Sequence, residues 1–186
     1  MRDILHKTIS VAKSIMFLLL NSIEYLLTPK IDEVSDGDLK IFAYNNEYLG
    51  DVINLWRTAG FFSSTYRFFL RLFGNRLCFL LLNRNNEFLG FYCFYYRFED
   101  LRTRRIHAAI LGFNPNFRGK GYGNFLAKSA YDSLKKSKWI RGIGTKYTIS
   151  NEASKKIHFK NGFKVIDSDF DKVEGEEREY AVYDFR

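Results

Sequence analysis

Proline is scarce in this chain of 186 residues, with two, and cysteine is equally scarce, with Cys78 and Cys93 alone. Both cysteines sit in apolar, strand-like segments, so buried free thiols in a reducing compartment are expected rather than a disulfide framework. Three scattered histidines and two strand cysteines have no metal-ligand spacing, and no metal is expected. Long hydrophobic runs are missing as well. The uncharged run between Lys13 and Glu24 covers only residues 14–23, too short to cross a bilayer. Acids at Asp3 and Glu24 and the lack of a small-residue cleavage site argue against a signal peptide. There is no internal repeat and no low-complexity tract, and the 46% hydrophobic content rejects disorder. Cytoplasmic localisation is the resulting expectation.

Acids are outnumbered, 21 against 29 basic residues, for a net charge of +8. The balance is uneven, because Asp167 to Glu179 holds seven acids and two basic residues. A basic remainder suits an anionic partner such as a nucleotide, nucleic acid or acidic lipid surface, and equally a simply solvated surface.

Aromatic residues are abundant, and apolar periodicity divides the chain into elements. Arg2 to Thr28 forms one amphipathic helix. Lys7, Lys13, Ser14, Asn21, Glu24 and Thr28 share its polar face, and Ile9, Val11, Ile15, Leu19, Ile23 and Leu26 its apolar one. That apolar face is expected to pack on the body of the protein or on a second copy in a homodimer. Contact with a membrane surface is the weaker alternative, because the polar face is only slightly basic. Pro29 to Asp38 reads as a linker, giving an N-terminal segment of residues 1–37 and a domain of residues 38–186.

Within that domain, Leu39 to Ala43 is a strand. Helices follow at Glu47 to Thr58, broken by Gly60, and at Tyr66 to Phe73, closed by Gly74-Asn75. Arg76 to Leu82 and Glu87 to Phe98 form a hairpin, the second strand so aromatic that burial on both faces is expected. A polar loop with Arg97, Arg102, Arg104 and Arg105 precedes the strand Ile106 to Phe113. A helix from Asn124 to Lys136, a strand from Ile140 to Ile149 and a helix from Asn151 to Lys160 come next. Closing strands, Phe163 to Ile166 and Tyr180 to Phe185, flank an acidic loop. The order predicts a mixed α/β fold with helices on both faces of one sheet.

The most informative stretch joins the strand Ile106 to Phe113 to its following helix through Arg118-Gly119-Lys120-Gly121-Tyr122-Gly123. Three glycines in five positions let the backbone turn tightly and bring N–H groups close to a ligand. The helix aims its positive end at the same place, so the corner suits phosphate or pyrophosphate, with Arg118 and Lys120 adding charge.

In this context Arg118-x-x-Gly121-x-Gly123 resembles the acetyl-CoA-binding motif of the GCN5-related N-acetyltransferases, the GNAT family. Asn151-x-x-Ser154-x-x-Ile157-His158-x-x-x-Gly162-Phe163 resembles the family's later helix. The resemblance covers Asp38 to Arg186 and implies a sheet that splays between Ile106–Phe113 and Ile140–Ile149. Pantetheine would lie in the gap beside backbone groups of Leu111 and Phe113. Pyrophosphate would rest on the N–H groups of Arg118, Gly119, Lys120, Gly121, Tyr122, Gly123 and Asn124, and Asn151 would help position the thioester end. Acetyl-CoA is the implied co-substrate.

Acetyl transfer to an amine requires a proton to leave the amine and one to reach the departing sulfur. His158 stands where the family usually has a tyrosine acting as general acid; it is a candidate acid, with acceptor binding or a surface role as alternatives. His107, on the organising strand, is a candidate base, or else a core histidine bonded across the sheet. Tyr147 and Tyr122 are further candidate donors, with packing on CoA the alternative for Tyr122. His6, on the first helix, has no expected role.

For the acceptor, the arginine-rich loop suits an anionic molecule and the acidic loop a cationic one. A small-molecule amine, with a nucleotide-linked amino sugar as the example, is the expectation. Acetylation of a protein or charged-tRNA amine and a non-catalytic CoA-binding module are the alternatives. A nucleic-acid partner is disfavoured by the lack of a basic-aromatic strip.

Overall fold

Phe88–Tyr95 is the most aromatic strand, and its six central residues are buried on both faces, which places it inside a sheet rather than at an edge. A computed structural model describes residues 2–58, 62–172 and 175–185, with side chains from residue 9 onward. Eight strands form one sheet: β1 (Val34–Asp36), β2 (Leu39–Ala43), β3 (Cys78–Asn83), β4 (Phe88–Tyr95), β5 (Arg105–Phe113), β6 (Gly142–Thr148), β7 (Lys164–Asp171) and β8 (Glu176–Asp184). Their spatial order is β1-β2-β3-β4-β5-β6-β8-β7, and only the β5–β6 pair is parallel. A parallel pair needs a crossover, and the helix α5 (Tyr122–Leu134) supplies it.

The β5–β6 pair is also short. Its register runs from Arg105 opposite Gly142 to Ala108 opposite Thr145 and then stops. Beyond Ala108, β5 pairs only with β4, as far as Phe113 opposite Gly90, while β6 continues beside β8 to Thr148 opposite Arg178. The sheet therefore splays between β5 and β6, and the Thr145 hydroxyl closes the vertex by donating to the Ala108 carbonyl at 3.2 Å.

Helices cover both faces. On one lie α5 and α6 (Glu152–Lys160), with Tyr131 of α5 packed between Tyr92 and Phe163. On the other lie α2 (Leu49–Arg57) and α3 (Ser64–Leu77), where Trp56 meets Tyr66 and Phe91 at ring-centroid distances of 5.0 and 5.9 Å. Cys78 and Cys93 face each other across β3 and β4, both buried and both free thiols.

Several elements depart from the sequence expectation. α3 runs through Gly74 to Leu77, because Gly74 lies against the Tyr44 ring, where a Cβ would approach Cδ1 to 2.4 Å. That glycine serves close packing rather than a helix stop. The expected linker contains β1, paired with β2. The polar loop after β4 contains a helical turn, α4 (Phe98–Leu101). The expected acidic loop is largely the β7–β8 hairpin, paired from Lys164 opposite Val182 to Asp171 opposite Glu176. The helix break assigned to Gly60 lies outside the described residues.

The N-terminal helix α1 (Arg2–Tyr25) is the largest surprise. It packs along α3 through Phe17, Leu18, Leu20 and Tyr25, and polar residues of its C-terminal half also turn inward. Asn21, Glu24 and Thr28 are buried, while Ile15, Leu19, Ile23 and Leu26 face solvent. Ring contacts of Phe17 with Phe69 and Tyr95 and of Tyr25 with Phe73 hold this side inward, and hydrogen bonds add to them. The Asn21 amide donates to the Tyr96 carbonyl at 3.2 Å and accepts from the Tyr96 N–H at 2.8 Å, pairing the backbone just past β4. The Thr28 and Tyr96 hydroxyls meet at 2.8 Å. Unpaired backbone groups in that position would cost more than the exposure of aliphatic side chains. The side chain of His6 lies outside the described residues.

Candidate active site

The gap between β5 and β6 leads to the glycine turn. β5 is followed by Asn114, whose side chain accepts from the Asn116 N–H at 3.1 Å and starts a short 3-10 turn, Pro115–Phe117. Arg118 folds back so that its Nε donates to the Phe113 carbonyl at 3.2 Å, fixing the guanidinium at the end of the open strand. Gly119 and Gly121 then take φ values of +76° and +82°, the left-handed region that disfavours any side chain. Nothing lies within 4 Å of where a Cβ would be at either position, so conformation and open space, not crowding, call for glycine.

Gly121 caps α5 without a side-chain bond, and no described residue accepts from the N–H groups of Gly119, Lys120, Gly121, Tyr122 or Gly123. Five unpartnered donors at a helix N-terminus, beside Arg118 and Lys120, form an anion cradle. Gly123 has a different role. A Cβ there would meet Ile157 Cδ1 at 2.9 Å, so it lets α5 approach α6. Asn124 Oδ1 accepts from the Asn161 amide at 3.0 Å and ties the same two helices. Leu111 and Phe113 lie in the part of β5 that has no β6 partner. These features fit a thioester-bearing CoA: donors for its pyrophosphate and a free strand edge for its amide-containing arm.

Asn151 caps α6, its side chain accepting from the Ser154 N–H at 3.1 Å, and sits exposed just beyond β6. His158, on the next turns of α6, reaches beneath the gap. Its ring stacks on Tyr147 of β6, with centroids 5.7 Å apart, and its Nε2 lies 3.2 Å from the Tyr92 hydroxyl of β4. Nδ1 lies 2.7 Å from the Ser154 carbonyl, so it carries the proton and donates there, leaving Nε2 to accept from Tyr92. Tyr92 also meets the Tyr131 hydroxyl at 2.8 Å. Burial lowers the His158 pKa to about 4, and the ring is neutral at pH 7.

His107 lies on the other face, opposite Tyr95 of β4 and Gly144 of β6. Burial, reinforced by nearby Arg97, lowers its pKa to about 3, and its Nδ1 has no hydrogen-bond partner. The nearest carboxylate, Asp100, is 3.9 Å away and already engaged. Asp100 takes both prongs of Arg97, at 2.6 and 3.0 Å, and the Tyr180 hydroxyl at 2.7 Å. The two histidines thus flank the sheet from opposite sides and are not brought together.

The Asp100–Arg97–Tyr180 cluster was missed in the sequence, where Arg97 reads as part of a basic loop. Arg105 is likewise paired, with Asp184, at 2.7 and 2.9 Å. Arg104 covers the Trp139 ring. The loop stands at the start of β5, the opposite end from the glycine turn. On the His107 face, strand register aligns Lys146 of β6, Tyr180 and Arg178 of β8, and Asp167, Asp169 and Asp171 of β7. Lys146 pairs with Asp169 at 2.6 Å. Among the described residues, no group of three or more His, Cys, Asp or Glu is placed to hold a metal ion.

A family profile described as Acetyltransferase (GNAT) family matches residues 43–163. No curated protein sequence matches the chain. Among solved structures, the ribosomal-protein-S18-alanine N-acetyltransferase from Escherichia coli is 15% identical, with a TM-score of 0.63 over 78% of this chain and 93% of that one. Arabidopsis thaliana Naa50, bound to the bisubstrate analogue CoA-Ac-MVNAL, is 18% identical, with a TM-score of 0.65 over 80% of this chain and 100% of that one. Arabidopsis thaliana NAA60 with a bisubstrate analogue is 13% identical, with a TM-score of 0.67 over 80% and 99%. At these identities the likeness establishes the fold.

Proposed function

Since this chain belongs to the GNAT acetyltransferase family, whose acetyl donor is acetyl-CoA, we propose that it acetylates the amine of a small cationic molecule. Residues 38–186 carry the transferase and α1 is an addition to it. The observation that carries the reading is the splayed gap with its five unpartnered N–H groups at one end. Arg118, Lys120 and the N–H groups of residues 119–123 hold the pyrophosphate, and the free edge of β5 around Leu111 and Phe113 holds the pantetheine. Bound there, acetyl-CoA supplies an activated acyl carbon. A backbone N–H of β5 beyond Ala108, lacking a strand partner, donates to the carbonyl oxygen as charge builds on it.

The acceptor enters on the His107 face. The expectation of a nucleotide-linked amino sugar rested on arginines that are largely neutralised by Asp100 and Asp184 or stacked on Trp139. Of the three carboxylates of β7 on this face, Asp169 and Asp171 pair with Lys146 and Arg178, and Asp167 is the one that suits a cation. Neither histidine is poised for proton transfer near pH 7, because both are held neutral well below it. We therefore assign catalysis chiefly to positioning: the ammonium loses a proton to water, the free amine nitrogen bonds to the acyl carbon, the carbon–sulfur bond breaks, and the nitrogen's next proton passes through water to the departing CoA thiolate. His158 keeps Tyr92 and α6 in place beneath the gap, and Asn151 borders the thioester end.

The test is thiol release from acetyl-CoA with a panel of cationic amines, nucleotide-linked amino sugars and peptide N-termini. Acetylation of the cationic amines is expected. Turnover with sugar nucleotides alone would overturn the acceptor assignment, and CoA binding without thiol release from any amine would make the chain a CoA-binding module.

A further inference from the structure

α1 packs Phe17, Leu18 and Leu20 on the core and presents a second, aliphatic stripe to water. At about 100° per residue, Val11, Ile15, Leu19 and Ile23 fall on one stripe, which Leu26 extends in the turn after the helix, and each is between 53% and 72% exposed. α3, packed alongside, adds Phe68 and Leu72, one turn apart and also exposed. A helix on a water-facing surface has the opposite polarity, and a contiguous apolar face of this kind marks an interaction surface. Rolling the helix to hide the stripe would tear Asn21 from the Tyr96 backbone and Thr28 from the Tyr96 hydroxyl. The exposure is therefore built in.

The charges beside the stripe identify what covers it. Lys13 of α1 and Arg67 and Arg71 of α3 are exposed. No acid offsets them: α3 has none, and the only acid of α1 from residue 9 onward, Glu24, is buried. We propose that this α1–α3 face docks on the surface of a lipid bilayer containing anionic headgroups. The apolar stripe enters the acyl boundary while the three cations meet phosphate. A symmetric dimer through the same face would set each cationic rim against its own copy with no carboxylate to pair. α1 would lie in the interface as a rod about 36 Å long, and no described helix is long and apolar enough to cross a membrane.

Flotation of the intact protein with two kinds of vesicle tests this, one of phosphatidylcholine alone and one of phosphatidylcholine with phosphatidylglycerol. Binding is expected only to the anionic vesicles, weakening as salt is raised. Leu19→Glu with Ile23→Glu, and separately Arg67→Glu with Arg71→Glu, should each reduce binding at least about tenfold. Both variants should keep the acetyl-CoA affinity of the parent protein, which shows that they remain folded. A folded protein that floats with neither vesicle overturns the proposal. So does a dimer in sedimentation that Leu19→Glu with Ile23→Glu splits, since that outcome assigns the face to a second copy.

Discussion

Burial holds His158 neutral, and this has a consequence for stability. Its folded-state pKa of about 4 lies below the ordinary 6.5. Between these values the unfolded chain takes up a proton that the folded chain refuses. The stabilisation is complete above about pH 6.5 and is lost as pH falls toward 4, and His107 adds the same loss from pH 6.5 down to about 3. The thermal midpoint should fall steadily from pH 7 to pH 4.5, and NMR of the ring carbons should show no His158 titration from pH 8 to 5. A midpoint near pH 6.5 for this ring would contradict the buried assignment and reopen the acid role. Tyr92→Phe should cost about 1–3 kcal/mol in denaturant unfolding, because it leaves the buried Nε2 of His158 without its donor. Rate against pH separates positioning from base catalysis: kcat/KM should rise toward the pKa of the acceptor amine without a limb near 6.5. Such a limb, abolished by His107→Gln, would restore His107 as the base. His107 was easy to single out in the sequence as the only ordinary base on its strand, but burial, which decides its basicity, is a tertiary property. The pairing of Arg105 with Asp184 spans most of the domain, and no local pattern announces it.

At the scale of elements, the turn from β5 into α5 was legible because its chemistry is local: glycine at positive φ, a helix start and adjacent cations occupy six consecutive residues. The α6 motif was legible for a similar reason, with Asn151 capping and Gly162 in the left-handed stop. Gly121→Glu should leave the domain folded, since its Cβ enters open space at a conformational cost of about 1–2 kcal/mol. It should weaken acetyl-CoA binding at least about a hundredfold by placing a carboxylate among the phosphate donors. Gly123→Val should act differently, forcing Ile157 away and destabilising the α5–α6 contact by about 1–3 kcal/mol. Thermal denaturation and binding, measured together, distinguish the two. The orientation of α1 was not legible. Periodicity reveals that a helix has two faces; which one turns inward depends on whether the body offers apolar surface or, as at Tyr96, backbone groups in need of partners.

For the whole molecule, one sheet does two jobs. Up to Ala108 it is a continuous core in which Phe94, Ile106 and Ile143 are fully buried. Beyond that point it parts, leaving one strand edge and one helix start unpaired at the same corner. These solvent-accessible groups suit a ligand with acceptors for both, and the acetyl-CoA assignment rests on that fit together with the family match. Calorimetric titration with acetyl-CoA and with desulfo-CoA, on the parent protein and on Arg118→Ala, tests it most directly. Micromolar binding of both ligands to the parent protein, about tenfold to a hundredfold weaker in the variant, is the expected result. Absence of binding to the folded parent protein, or an unchanged affinity in Arg118→Ala, would contradict the account.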